Sequence, residues 1–244
     1  MALAAARADW IVNAAAYTAV DLAEDQPAVA SAVNDTAVAW LDRAARHAGS
    51  RLLHLSTDFV FDGESKRAYL PTDRTHPLSV YGSSKLGGEH HVIAGGTGIV
   101  LRTSWVYAAS GKNFVLTMLR LMREKDQISV VCDQIGAPTW ATSAAAAIWG
   151  LLGVQAAAGI YHWTDLGVAS WYDFAVAIQE EALARGLLSR EISISPIYSS
   201  EYPTKAKRPA FSVLDCAATR SLIKVQATHW RHNLRMMLDE LRAA

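Results

Sequence analysis

The chain has 244 residues, 51% hydrophobic and 19% charged, so it is long enough to bury a large core and too apolar to be disordered. Lys and Arg total 23, as do Asp and Glu, and this zero formal charge without a basic run argues against a nucleic-acid partner. The two cysteines, Cys132 and Cys216, fit neither a disulfide framework nor a metal site, so we expect a cytoplasmic protein without a signal peptide or membrane span.

Apolar runs alternate with helical patterns along the chain, which predicts a parallel sheet with crossover helices. In chain order, the predicted strands are residues 10–16, 51–56, 99–105, 128–131 and 160–162. The predicted helices are residues 27–47, 80–94, 113–124, 142–152, 170–185 and 228–241. The early strands are continuous apolar runs, which indicates burial on both faces of an α/β doubly wound sheet. Ligands of such sheets bind beyond the carboxyl ends of the strands.

Tyr81 and Lys85 lie four positions apart at the start of a predicted helix, so their side chains share one face. A phenol has an ordinary pKa of about 10, and a nearby ammonium lowers it. Such a pair can give a proton to a carbonyl oxygen while a hydride reaches the carbon. With eight tyrosines in the chain, coincidence is the alternative interpretation of the spacing.

Ser56, Thr57 and Asp58 fall at the carboxyl end of the second predicted strand. A hydroxyl at this place can hydrogen-bond the same carbonyl that Tyr81 would protonate. Turn or cap chemistry is the alternative for a Ser–Thr pair. Tyr81 in the next helix favours the functional interpretation.

Six segments in a fixed order carry a family signature: 13–21 (NAAAYTAVD), 56–63 (STDFVFDG), 77–89 (PLSVYGSSKLGGE), 102–107 (RTSWVY), 133–139 (DQIGAPT) and 208–215 (RPAFSVLD). Together they resemble the dTDP-4-dehydrorhamnose reductase family of the extended short-chain dehydrogenase/reductase superfamily. The resemblance implies a Rossmann-like NAD(P)-binding region in residues 1–155 and a smaller α+β substrate-binding region in residues 156–244, with interleaved loops.

The family's reaction reduces the 4-keto group of dTDP-4-dehydro-L-rhamnose to dTDP-L-rhamnose with NADPH or NADH, for cell-surface polysaccharide synthesis. The resemblance thus implies a dTDP-linked keto-sugar as substrate, and it is compatible with a homodimer. No residue pattern in the sequence supports a metal site, including one for Mg²⁺.

The resemblance also implies roles for individual residues. Tyr81 would donate the proton, Thr57 would polarise or orient the carbonyl, and Lys85 would tune Tyr81 and hold the nicotinamide ribose. The residues implied to contact the cofactor are Ala14, Ala15, Tyr17, Ser56, Thr103 and Ser104, together with Tyr81 and Lys85. Those implied to contact the sugar nucleotide are Asp58, Trp105 and Arg208. A core position is an equally good interpretation of Trp105.

Two other functions are compatible with the same fold. Superfamily dehydratases carry Thr-Asp-Glu after the second strand, and Phe59 in the third position here argues against dehydration. A non-catalytic sugar-nucleotide or regulatory binding subunit is the other alternative, but residues 103–105 (TSW) favour the enzyme.

The sequence contains no recognisable glycine-rich strand–turn–helix unit for a pyrophosphate. Residues 95–98 (GGTG) follow a predicted helix and precede a strand, which is typical of a helix exit. We therefore interpret the fold as N-terminally truncated. We expect the 244-residue chain to bind cofactor weakly or to be an inactive fragment, with a free sheet edge at residues 10–16.

Overall fold

The computed structural model describes residues 8–243 of the protein. In chain order its strands and helices are β1 Trp10–Asn13, α1 Val20–Asp25, α2 Pro27–Ser31, α3 Ala37–His47, β2 Arg51–Thr57, α4 Val80–Gly95, β3 Ile99–Thr103, β4 Val106–Tyr107, α5 Phe114–Glu124, β5 Gln127–Val131, β6 Ile135–Gly136, β7 Thr139–Trp140, α6 Ala141–Gly153, β8 Gly159–His162, β9 Ala169–Ser170, α7 Trp171–Ala184, β10 Ser193–Ile197, α8 Ala217–Ile223 and α9 Trp230–Ala243. A π-helical turn at Ala32–Thr36 joins α2 to α3, and a 3-10 turn at Asp58–Val60 follows β2.

The main sheet contains four parallel strands in the order β1-β2-β3-β8. Helices cover both of its faces. One apolar cluster joins Leu52 and Val100 to α3 and α4, and another joins Leu53 and Leu101 to α6. Adjacent residues of a strand point to opposite faces, which explains the continuous apolar runs. The structure confirms the predicted α/β fold with a doubly wound parallel sheet.

A second hydrophobic core lies outside the main sheet and joins α5, α7 and α9 to the parallel pair β5–β10. Its buried side chains include Tyr107, Phe174 and Trp230. Neither region is confined to one side of residue 155. α5 and β5 precede this residue but belong to the second core, whereas β8 follows it but joins the main sheet. The two regions interleave along the chain, and the division into residues 1–155 and 156–244 stays a prediction.

Two strands of the main sheet end earlier than their apolar runs predict. β1 stops at Asn13, whose side-chain oxygen accepts the backbone N–H of Ala15. β3 stops at Thr103, because Trp105 adopts a left-handed backbone conformation with a φ of 49°. In both cases a local backbone turn, which hydrophobic periodicity does not report, ends the strand.

The predicted helices agree with the structure within a few residues, except that the π-helical turn divides residues 27–47 into α2 and α3. The predicted helix exit at residues 95–98 is confirmed, since Gly96 ends α4 with a φ of 74°. The elements absent from the prediction are short: α1, α8, β4, β6, β7, β9 and β10. Within residues 8–243, no helix has the length and apolar character needed to cross a membrane.

Candidate active site

The first turn of α4 is brought close to the carboxyl end of β2. The Ser79 side chain caps this helix by accepting the backbone N–H of Gly82, and a Glu24 carboxylate oxygen accepts that of Val80. Gly82 packs against the 3-10 turn so closely that a Cβ would lie 2.3 Å from the Phe59 carbonyl oxygen. This contact sets Tyr81 beside the end of β2, with its ring edge-on to Phe59 at 5.6 Å.

Thr57, the last residue of β2, lies beside the Tyr81 phenol and donates its hydroxyl hydrogen to Asp58 at 3.0 Å. Burial raises the pKa of Tyr81 to about 12. The Thr57 hydroxyl opposes this shift and the charge of Asp58 adds to it. Burial has the largest effect on this pKa, and the expected tuning of Tyr81 by Lys85 stays a prediction. Tyr81 is a protonated phenol at neutral pH and has a proton to donate.

Lys85 lies one turn further along α4 and is buried. Its amine donates to the Leu55 carbonyl oxygen at 2.6 Å and lies 3.3 Å from Nε2 of His54. Burial lowers the pKa of Lys85 to about 8, against the opposing charge of Glu89. The structure thus gathers Thr57, Tyr81 and Lys85 at the carboxyl end of β2. Their catalytic roles stay predictions.

Two buried polar atoms beside this group have no hydrogen-bond partner among the described residues: Oδ2 of Asp58 and Oγ1 of Thr103. Thr103 ends β3 and is paired in register with Thr57. Burial raises the pKa of Asp58 to about 6, although the nearby Ser212 and Thr57 hydroxyls oppose the shift. Leaving such an atom unpaired costs about 1–3 kcal/mol, so we expect a ligand or solvent to pair with both.

The other residues implied to contact a cofactor differ in how free they are to do so. Ala14 and Ala15 are exposed directly after β1, at the same edge of the sheet. Tyr17 follows them, with its backbone N–H donated to the Asn34 side chain at 2.8 Å. The two serine hydroxyls already donate to protein atoms, Ser56 to Glu89 and Ser104 to the Ala137 carbonyl. In these hydrogen-bond arrangements either serine hydroxyl can contact a cofactor only as an acceptor.

Trp105 is a packing residue in this structure. It stacks on Trp171 at 3.5 Å and closes over Gly136, where a Cβ would lie 2.6 Å from the indole. Both tryptophans pack against the second hydrophobic core. The core interpretation of Trp105 is thus supported by its contacts, and a substrate contact stays a prediction.

Arg208 lies on the wall of a cavity of about 800 Å³. The cavity is lined by aromatic, amide and cationic side chains that include Phe114, Gln134, Trp171, Tyr202 and Lys205. Thr57, Asp58, Tyr81, Lys85 and Trp105 do not line it. The Arg208 guanidinium binds both carboxylate oxygens of Asp21 in α1, the helix whose Glu24 accepts the backbone N–H of Val80 at the start of α4.

Three interacting groups at the site were missed by the sequence interpretation. Arg208 holds the pKa of Asp21 below its ordinary value, and Asp21 was not among the predicted site residues. His54 contacts Lys85, and Glu89 forms a buried ion pair with Arg102 at 2.6 Å. A charged or titratable residue inside an apolar run, such as His54 or Arg102, is the signal that could have identified them.

Comparison with known proteins relates the whole arrangement to one family. The family described as the RmlD substrate binding domain matches residues 1–243. A dTDP-4-dehydrorhamnose reductase of Burkholderia thailandensis is 43% identical over an alignment that covers 97% of this chain and 83% of that protein. The reductase of Escherichia coli K12 is 40% identical, with 96% of this chain and 80% of that protein covered.

Solved structures give the same relationship. A dTDP-4-dehydrorhamnose reductase from Bacillus anthracis in complex with NADP superposes with a TM-score of 0.91 at 32% identity, covering 98% of this chain and 84% of that one. An orthologue from Clostridium acetobutylicum superposes with a TM-score of 0.89 at 35% identity, covering 96% of this chain and 81% of that one.

Proposed function

Because the chain belongs to the dTDP-4-dehydrorhamnose reductase family, we propose that it reduces the 4-keto group of dTDP-4-dehydro-L-rhamnose to give dTDP-L-rhamnose. The NADP bound to the Bacillus anthracis relative supports NADPH as the cofactor. The observation that carries the proposal is the position of the Tyr81 phenol beside Thr57, at the strand end where such sheets bind ligands.

The residues around β2 fit the nicotinamide end of the cofactor. Thr103 offers a buried hydroxyl without a partner, and Lys85 has an amine hydrogen to spare for a ribose hydroxyl. Bound NADPH would supply the hydride. Tyr17 and the exposed backbone of Ala14 and Ala15 would border the cofactor at the end of β1.

The proton for the new alcohol comes from the Tyr81 hydroxyl, which donates it to the 4-keto oxygen. Thr57 orients Tyr81, because its oxygen lies beside the phenol while its hydrogen is held by Asp58. In this hydrogen-bond arrangement Thr57 can accept from Tyr81 but has no hydrogen left for the substrate. Donation by Thr57 to the carbonyl would require the hydroxyl to rotate away from Asp58.

The sugar nucleotide is expected to use the cavity beside Arg208. Lys207 on its wall supplies positive charge for a diphosphate, and Phe114 and Trp171 supply aromatic surface for a base. Lys205 and Arg208 would add charge only on leaving their ion pairs with Asp25 and Asp21. The two free cysteines support the cytoplasmic location that we infer for the reaction.

The test is turnover of dTDP-4-dehydro-L-rhamnose with NADPH by the wild-type protein, Tyr81→Phe and the control Tyr161→Phe. Tyr161 donates to the Ala157 carbonyl, away from the site. We expect Tyr81→Phe to reduce kcat by about 10²–10⁴-fold, as for loss of a proton donor, and Tyr161→Phe to leave it unchanged.

NADPH and dTDP binding are titrated in parallel, because weak cofactor binding would by itself abolish turnover. Equal turnover by Tyr81→Phe and the wild type would remove Tyr81 from the mechanism. Binding of dTDP without any reduction at saturating NADPH would favour a non-catalytic binding subunit.

A further inference from the structure

A line of buried polar groups connects β1 to Lys85 behind the proposed catalytic residues. The Asn13 side-chain nitrogen lies 3.0 Å from Nδ1 of His54, and Nε2 of the same ring lies 3.3 Å from the Lys85 amine. His54 is completely buried between them. The Lys85 amine also donates to the Leu55 carbonyl at 2.6 Å. The donors and acceptors that each group offers decide which nitrogen of His54 carries the hydrogen.

The Asn13 amide is oriented by its oxygen, which accepts the backbone N–H of Ala15 at 3.2 Å. The amide nitrogen therefore faces His54, and since it can only donate, Nδ1 of His54 must accept. Burial, with the charge of Lys85 in second place, lowers the pKa of His54 to about 3, so the ring is neutral at physiological pH. A neutral ring that accepts at Nδ1 carries its hydrogen on Nε2.

This Nε2–H is directed at the Lys85 amine. An ammonium has three hydrogens and no acceptor, whereas a neutral amine has a lone pair that can accept from His54. Burial also favours the neutral amine and lowers the pKa of Lys85 to about 8, so this acceptor is the main form of Lys85 above about pH 8. The charge of Glu89, which faces Lys85 from the next turn of α4, acts in the opposite direction but is shared with Arg102.

We propose that His54 is a positioning residue for Lys85: held by Asn13 as the Nε2–H tautomer, it donates to the amine and keeps it against the Leu55 carbonyl. The amine can then donate and accept hydrogen bonds at the end of β2. The inference rests on the proposed function only because that function gives Lys85 a part in the reduction.

His162 provides an internal comparison within the same protein. It is also completely buried, and burial lowers its pKa to about 3, with the charge of Arg102 acting in the same direction. Its Nδ1, however, lies 3.1 Å from the carbonyl oxygen of Tyr69. A carbonyl only accepts, so His162 carries its hydrogen on Nδ1. His54 and His162 are therefore expected to be opposite tautomers.

The first measurement is nitrogen NMR of the wild-type protein labelled with [15N]histidine, between about pH 5 and pH 9, a range that covers the titration of exposed histidines and of Lys85. We expect two rings that do not become protonated in this range and, above the titration midpoint of Lys85, one ring with its hydrogen on Nε2 and one with its hydrogen on Nδ1. Two Nδ1–H rings above that midpoint, or protonation of both buried histidines within the range, would overturn the proposal.

The second measurement uses Asn13→Asp. A carboxylate can accept from both Ala15 and Nδ1 of His54, so His54 should change to the Nδ1–H tautomer and accept from a Lys85 ammonium. In [13C]lysine NMR, the titration midpoint of Lys85 should then rise towards that of exposed lysines. Asn113→Asp is the control, because it makes the same chemical change at another position, where aspartate keeps the cap of α5 and loses the amide donations to the Ala108 and Ser110 carbonyls.

An Asn13→Asp protein that folds, with an unchanged His54 tautomer and Lys85 midpoint, would contradict the proposal. If this variant does not fold, the tautomers in the wild-type protein still decide the question. Neither spectrum requires turnover, so the expected tautomers without any reductase activity would refute the proposed function and leave the positioning role standing.

Discussion

Burial has the largest effect on the pKa values of the titratable side chains around the site. It raises the pKa values of Tyr81 and Asp58 and lowers that of Lys85, so each shift favours the neutral form. A protonated Tyr81 suits the reductive direction, in which the enzyme gives up a proton. The prediction that an ammonium lowers the pKa of Tyr81 took only the two charges into account and omitted the effect of desolvation.

The buried Glu89–Arg102 pair tests how much burial increases the energetic cost of breaking an ion pair. Glu89 and Arg102 are 1% and 2% exposed, and Glu89 also accepts the Ser56 hydroxyl. Glu89→Gln should leave a buried, uncompensated guanidinium and lower the free energy of unfolding by about 3–5 kcal/mol. Urea denaturation measures this change.

The matched control is Glu124→Gln, which breaks an exposed ion pair with Arg120 in α5. That substitution should cost about 0–1 kcal/mol. Equal destabilisation by the two variants would show that the Glu89–Arg102 pair is no more important than a surface contact.

The helices and strands place the site through a few close backbone approaches. α4 can reach the end of β2 only because Gly82 has no side chain at its contact with Phe59. Gly82→Ala would put a Cβ against a backbone oxygen that cannot move alone. We expect a loss of about 1–3 kcal/mol in the free energy of unfolding and displacement of Tyr81, hence reduced kcat.

Gly153→Ala is the control for the intrinsic effect of alanine in a helix. Gly153 ends α6 and has open space around its Cβ position, so alanine should be neutral or stabilising. Thermal unfolding and kcat distinguish the two variants. A Gly82→Ala protein as stable and active as Gly153→Ala would mean that the close approach does not position α4.

Sequence alone was sufficient for the elements whose patterns are local. The continuous apolar runs at β2 and β3 predict the buried sheet, and the spacing of Tyr81 and Lys85 puts them on one helix face. The π-helical turn, the early end of β3 at Trp105 and the contact of Arg208 with Asp21 depend on tertiary partners. No single segment of sequence contains that information.

Among the described residues, the main sheet has two edge strands, β1 and β8, and β1 is the edge with the exposed apolar side chain considered next. β1 pairs only with β2, and Val12 in β1 is 43% exposed. A free apolar edge can pair with another copy of the chain. We therefore expect the 244-residue chain to self-associate with rising concentration, and Val12→Lys to reduce this association in sedimentation velocity.

Val154→Lys is the matched control, because Val154 is 45% exposed but lies at the end of α6. It adds the same charge and removes a similar apolar surface, so it should leave self-association unchanged. Equal effects of the two lysines would indicate that net charge, rather than the β1 edge, controls association.

The central claim is that the site transfers a hydride to C4 of the keto-sugar and a proton to its oxygen. The most direct measurement supplies NADPH with deuterium in the transferred position and determines where the label lies in the product by NMR and mass spectrometry. We predict one deuterium at C4 of dTDP-L-rhamnose for each NADPH oxidised. Consumption of the keto-sugar with no deuterium in the product, or with the label at another carbon, would contradict the assignment.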